Sequence, residues 1–129
     1  MNVFIVEDSV SIQGYLVSML SGIPGVSVVG CAEDELDAIE GIGELSPDVV
    51  TLDLSLKTGS GIAVLDYIKM HHAAIKVIVL TNYVDDFYIK NCRRSGADFV
   101  FDKTLQFPLV RSVLWSWVHD GYSGSTAKS

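Results

Sequence analysis

Five short apolar runs recur along the chain, each followed by polar residues and then by apolar residues spaced three or four apart. Residues 3–6, 26–30, 75–80 and 97–101 are rich in β-branched and aromatic side chains and predict strands. The central run is Pro47-Asp48-Val49-Val50-Thr51-Leu52-Asp53-Leu54-Ser55-Leu56, a nearly unbroken apolar stretch that delivers one carboxylate, Asp53, at its end. Such continuity is the mark of a strand buried on both faces, as in a parallel sheet covered by helices.

Helical spacing fills the intervals. Residues 10–20 place Ile12, Tyr15, Leu16, Met19 and Leu20 toward a core, and Gly22-Ile23-Pro24-Gly25 closes that helix. Cys31-Ala32-Glu33-Asp34 opens a second helix, with Leu36, Ile39 and Ile42 apolar and acidic residues in the first turn, where they suit the helix dipole. Residues 62–70 predict a third, with Leu65, Tyr67 and Ile68 available to pack, and residues 84–95 a more polar fourth stopped by Gly96. A fifth spans 107–118, with Pro108 in its first turn and Leu109, Val113, Leu114 and Trp117 as its buried face. Five strands alternating with five helices imply right-handed βαβ units and one parallel sheet with helices on both faces. The domain is placed at residues 1–120; the polar residues 121–129 are expected to form a flexible tail.

Polar residues gather where this fold would place a site, beyond the carboxyl ends of the strands. Glu7 and Asp8 follow the first strand, Asp53 ends the third, Thr81 the fourth, and Lys103 follows the fifth. Three carboxylates in one pocket repel unless a cation neutralises them. A hard divalent ion with oxygen ligands suits them, and Mg²⁺ fits best because it takes one or two carboxylates and leaves room for phosphoryl oxygens. Lys103 would be the fixed positive charge opposite and Thr81 a hydroxyl donor. These parts suit phosphoryl transfer, with Asp53 as the nucleophile that becomes an aspartyl phosphate.

Charge narrows the partners. With 9 basic and 16 acidic residues in 129, the net charge is −7, which argues against binding a nucleic-acid backbone. No apolar run approaches the roughly 18–20 residues that cross a bilayer, and the N-terminal residues lack a basic region or cleavage site, so a cytoplasmic protein without membrane contact is expected. Cys31 and Cys92, far apart and without CxxC spacing, read as free buried thiols. His71 and His72 are adjacent, do not share a helix face, and suit a helix end better than a metal. Trp115 and Trp117 cannot both face inward, so Trp115 is expected to be partly exposed.

The order and spacing of these sites resemble a response-regulator receiver domain over roughly residues 2–120. The resemblance rests on Glu7-Asp8, on Asp53-Leu54-Ser55-Leu56 followed by Gly59-Ser60-Gly61, on Thr81, and on Gly96-Ala97-Asp98-Phe99-Val100-Phe101-Asp102-Lys103. It implies a flavodoxin-like α/β fold with strand order 2-1-3-4-5 and a histidine kinase or histidine phosphotransfer protein as phosphodonor to Asp53. It also implies Mg²⁺ held by Asp8, Asp53 and the Ser55 carbonyl, with Glu7 helping through water, and a phosphoryl group bound by Thr81 and Lys103. The expected consequence is a change in the face made by the fourth helix, fifth strand and fifth helix, read by a downstream protein. Ser55 and Tyr83, two residues after Asp53 and Thr81, would flank the site and tune access of hydrolytic water. Two positions depart from the family: Lys57 stands where a proline is common, and Val100, between Phe99 and Phe101, stands where the family usually has a Tyr or Phe switch.

The main rival is the receiver half of a DNA-binding transcriptional regulator whose output domain is absent from this chain. A flavodoxin-like enzyme or flavin binder is disfavoured, since no glycine-rich phosphate loop follows the first strand. A degenerate receiver that takes no phosphate is disfavoured by the full acidic set with Thr81 and Lys103.

Overall fold

The computed structural model describes residues 1–82 and 86–120. Five parallel strands stand in the order β2-β1-β3-β4-β5. They are β1 Asn2–Val6, β2 Ser27–Ala32, β3 Val49–Asp53, β4 Lys76–Thr81 and β5 Phe99–Asp102. The helices between and after them are α1 Val10–Ser21, α2 Glu35–Leu45, α3 Gly61–His71, α4 Asp86–Arg94 and α5 Phe107–His119. This is the flavodoxin-like order expected. Tyr83 and the tail at 121–129 lie outside the described residues, as does the predicted start of the fourth helix at Val84.

The period-two alternation of the strands splits the core into two layers. Val50 and Leu52 of β3, with Val77 and Val79 of β4, face Ala38 and Ile42 of α2, Val64, Leu65 and Ile68 of α3, and Cys92 of α4. Val3 and Ile5 of β1, Val49 of β3, and Ile78 and Leu80 of β4 face Leu16 and Leu20 of α1 and Phe107, Val110 and Leu114 of α5. Every residue of β3 is buried, as its unbroken apolar run predicts.

Several expectations need correction. The second helix begins at Glu35, not at Cys31, because Cys31 and Ala32 continue β2 by pairing with Ile5 and Val6; Asp34 is the N-cap, accepting the Asp37 N–H at 2.9 Å. Cys92 is buried, but Cys31 is exposed, pointing outward from an edge strand. Tyr15 is exposed and lies flat on Phe107, centroids 5.0 Å apart, instead of entering the core. Leu36 and Leu109 are also exposed, because Ala38 with Ile42, and Phe107 with Val110 and Leu114, carry the contact with the sheet. Trp115 is exposed, as expected, and stacks on His119.

Gly14 sits in the middle of α1 on an exposed face, and a Cβ built there meets nothing within 4 Å. Alanine removes the backbone-entropy penalty of a mid-helix glycine. Gly14→Ala is therefore expected to stabilise the fold by about 0.5–1 kcal/mol, a rise of a few degrees in thermal midpoint readable by circular dichroism.

Candidate phosphoacceptor site

The site grows out of the alternation that builds the core. Glu7, Asp53 and Lys103 are the next positions on the rows Val3-Ile5, Val49-Thr51 and Phe99-Phe101, so all three emerge on the α1/α5 side at the carboxyl edge of the sheet. The ladder carries them there: the Glu7 N–H donates to the Ala32 carbonyl and the Lys103 N–H to the Thr81 carbonyl, both at 2.9 Å. Glu7 and Asp53 are 1% and 3% exposed, so two carboxylates are removed from water side by side.

Lys103 offsets them. Its Nζ lies 2.9 and 3.0 Å from the two Glu7 oxygens and 3.0 Å from Asp53 Oδ2. Its loop is held by Asp102, whose Oδ1 accepts the N–H groups of Thr104 and Leu105 at 2.7 and 2.8 Å. Burial is the largest influence on the Lys103 ammonium and favours losing the proton, but hydrogen bonds to Glu7 and Asp53 outweigh it and hold its pKa above 10.5. Burial pushes the Glu7 carboxyl above 4.5; Lys103 and the Ser9 N–H pull the other way, and the Asp53 charge adds to the rise. Ser9 N–H donates to Glu7 Oε2 at 3.0 Å and Gln13 Nε2 to the Glu7 carbonyl at 2.8 Å, so the first turn of α1 fixes Glu7 from both sides.

Asp8 is free of the capping role that a residue before α1 could have taken. Ser9 is the N-cap, its Oγ accepting the Ile12 N–H. Oxygen atoms of Glu7, Asp8 and Asp53 lie within 4.8 Å of one another. Three carboxylates and one ammonium leave a formal −2, which one divalent cation balances. The donor set is all oxygen, with Lys103 the single cation facing it among the described residues. These features fit a hard cation such as Mg²⁺.

Ser55 opens the loop after β3, exposed, with its N–H donating to Asp53 Oδ1 at 3.0 Å. Thr81 ends β4, fully buried, on a row shared with Val77 and Val79 that faces the α3/α4 layer; Asp53 pairs in register with Leu80 beside it. Lys57 makes an exposed ion pair with Glu33 at 3.5 Å. Val100 is buried in the α2/α3/α4 layer, whereas Phe99 and Phe101 stack on each other in the α1/α5 layer. Neither phenylalanine therefore occupies the side on which Val100 sits.

Gly61, which the sequence marks only as part of the glycine-rich loop after Asp53, supports the site without contributing charge to it. Gly61 lies against the end of β3: a Cβ there would stand 2.4 Å from both the Asp53 carbonyl oxygen and Leu54 Cα. Its own N–H donates to the Leu54 carbonyl at 3.2 Å. The signal available is a glycine immediately before the helix predicted over 62–70, eight residues after the strand-ending Asp53.

A family model described as the response regulator receiver domain matches residues 3–114. A protein-glutamate methylesterase/protein-glutamine glutaminase of Myxococcus xanthus is 42% identical over 80 residues, 62% of this chain and 23% of that protein. The response regulator protein VraR of Staphylococcus saprophyticus is 32% identical over 102 residues, 79% of this chain and 49% of VraR. The chain thus spans about a quarter of the first and about half of the second. The response regulator domain of Thermotoga maritima CheB superposes with a TM-score of 0.81 at 27% identity, covering 95% of this chain and 96% of that one. A chain of the CheX-CheY-BeF3-Mg complex of Borrelia burgdorferi gives 0.81 at 25% identity, covering 95% and 90%.

Proposed function

The chain belongs to the response regulator receiver family, and we propose that it accepts a phosphoryl group on Asp53 from a histidine kinase or histidine phosphotransfer protein, with Mg²⁺ as cofactor. The observation that carries this reading is the Lys103 ammonium held between buried Glu7 and Asp53, with Asp8 alongside. An Asp53 carboxylate oxygen attacks phosphorus, a P–O bond to Asp53 forms, and the bond to the donor's imidazole nitrogen breaks. Lys103 then turns from the two carboxylates toward the new phosphoryl oxygens, and the Thr81 hydroxyl donates to another. Asp8, Asp53 and the Ser55 carbonyl would hold the metal, with Glu7 acting through water; when bound, it neutralises charge that builds on the phosphoryl oxygens. The chain is a phosphoacceptor that assists its own phosphorylation and dephosphorylation, not an enzyme acting on a separate substrate.

The same reading assigns residues 1–120 to the receiver and 121–129 to a tail, places the protein in the cytoplasm, and makes the face of α4, β5 and α5 the surface read by a downstream protein. Among the described residues no helix is long and apolar enough to cross a membrane. A second reading draws support from the relatives, whose matching segments lie within longer chains. In it this chain is the input half of a larger regulator, including a DNA-binding one.

The test is intact-protein mass after incubation with acetyl phosphate and Mg²⁺. Wild type is expected to gain one phosphoryl group; Asp53→Asn, or chelation of the metal, is expected to abolish the gain. A gain that survives in Asp53→Asn would move the acceptor elsewhere.

A further inference from the structure

The loop of residues 54–60 joins β3 to α3 and carries Ser55 at its start. Its inner end is fixed by bonds already described, from the Ser55 N–H to Asp53 and from the Gly61 N–H to the Leu54 carbonyl. Its outer arc is fixed from another element, the N-terminus of α2. The Glu35 N–H donates to the Thr58 carbonyl at 3.2 Å, and Glu35 Oε1 accepts the Ser60 N–H at 2.8 Å. One residue therefore grips the loop twice, with main chain and with side chain. Gly59 lies between these two contacts at φ +87°, and a Cβ there would stand 2.4 Å from Glu35 Cβ, so the loop is drawn tight against Glu35. Ser60 is in turn the N-cap of α3, its Oγ accepting from Ile62 and Ala63 at 3.1 and 3.4 Å. A carboxylate at that end of α3 also suits the helix dipole. The neighbouring Glu33–Lys57 pair spans the same two loops, but both side chains are well exposed and the pair adds little.

We propose that Glu35 is a positioning residue for the divalent-cation site: by holding Thr58 and Ser60 it fixes the loop that presents the Ser55 carbonyl beside Asp8 and Asp53. This rests on the metal site of the proposed function. The carboxylate acts by accepting a hydrogen bond, so a neutral acceptor of the same length should serve as well.

The experiment compares wild type, Glu35→Ala and Glu35→Gln by calorimetric titration with MgCl2, with Ser60 amide exchange followed by NMR and thermal midpoints confirming folded protein. Glu35→Ala is expected to weaken Mg²⁺ about tenfold, as loss of a supporting contact does at metal sites, and to speed Ser60 exchange. Its phosphorylation by acetyl phosphate should be slow at low Mg²⁺ and recover at saturating Mg²⁺. Glu35→Gln is expected to match wild type within about twofold, an effect well below that of a lost supporting contact. If Glu35→Gln binds Mg²⁺ as poorly as Glu35→Ala, the carboxylate acts through its charge and the proposal falls. It falls equally if Glu35→Ala binds like wild type while Ser60 exchange rises. Wild type that binds no Mg²⁺ would overturn the metal reading itself, which the exchange data distinguish from a failure of the clamp.

Discussion

Lys103→Met is expected to lower folding stability by about 2 kcal/mol at pH 8 in the absence of Mg²⁺, because it removes the partner of two buried carboxylates and leaves their charges facing each other. Methionine keeps most of the aliphatic bulk, so the loss is electrostatic. The pH dependence identifies it. Burial already holds the Glu7 carboxyl above 4.5 with Lys103 restraining the rise; without Lys103 it moves further up. In the interval between the unfolded value near 4.5 and the raised folded value, the folded protein binds more protons than the unfolded chain. Stability from this group is therefore fully present below the unfolded value and is lost as pH rises through the folded one. Lys103 itself contributes with the same sign: its folded pKa lies above 10.5, so its stabilisation is complete at pH 8 in wild type and lost only as pH rises through the folded value. The deficit of the variant should thus be small at pH 5 and largest at pH 8. Mg²⁺ at about 100 times its dissociation constant adds about 2.7 kcal/mol to any protein it binds only when folded. Urea midpoints at pH 5, 6.5 and 8, with and without Mg²⁺, measure all of this. A variant whose deficit is flat with pH would show that Lys103 packs against the site without neutralising it.

That Lys103 meets Glu7 and Asp53 is legible in the sequence. Glu7, Asp53 and Lys103 each follow an apolar strand at a position fixed by period two, so naming the strands also names the edge and the face. Thr81 follows the same logic on the alternate row. Strand order is different in kind. Alternation of elements gives a parallel sheet, but the order β2-β1-β3-β4-β5 came with the family resemblance.

The errors fall at the edges of helix stripes. In α1, Leu16 and Leu20 reach the sheet, while Tyr15, one residue away and about 100° around the helix, meets Phe107 of α5 from outside. Leu109, expected on the buried face of α5, and Leu36, apolar at helical spacing in α2, are exposed for the same reason: a single helix cannot show where its neighbours stop. The start of α2 differs from the expected Cys31 because pairing with Ile5 and Val6 keeps Cys31 and Ala32 in β2, a contact between strands that the local pattern does not contain. Nothing in the sequence singles out Glu35; its grip on Thr58 and Ser60 depends on the start of α2 meeting the loop after β3, which no local pattern records.

Gly61→Ala should produce the other large effect, opposite in sign to that expected at Gly14. Both positions are helical and both replace hydrogen with a methyl group, which by propensity alone favours alanine by up to about 1 kcal/mol. At Gly14 the methyl enters open space. At Gly61 it would stand 2.4 Å from the Asp53 carbonyl oxygen and from Leu54 Cα, with the Leu54 carbonyl carbon at 3.0 Å, all of them backbone atoms that no side-chain rotation can clear. Relief requires α3 and the end of β3 to separate. That separation strains the Gly61–Leu54 hydrogen bond and moves Asp53 relative to Lys103, its partner at 3.0 Å. A cost of about 2–3 kcal/mol is expected, the upper range for overpacking a tight core, and it exceeds the propensity gain. If Asp53 is the acceptor as proposed, displacing its carboxylate by about 1 Å should slow phosphorylation by acetyl phosphate about a hundredfold, since in-line transfer depends on the placement of the attacking oxygen. Urea midpoints and the rate of mass gain at saturating Mg²⁺ measure the two effects separately. A Gly61→Ala protein as stable and as readily phosphorylated as wild type would show that the contact between α3 and β3 is loose, and that the position of Asp53 is set by Lys103 and Ser55 alone.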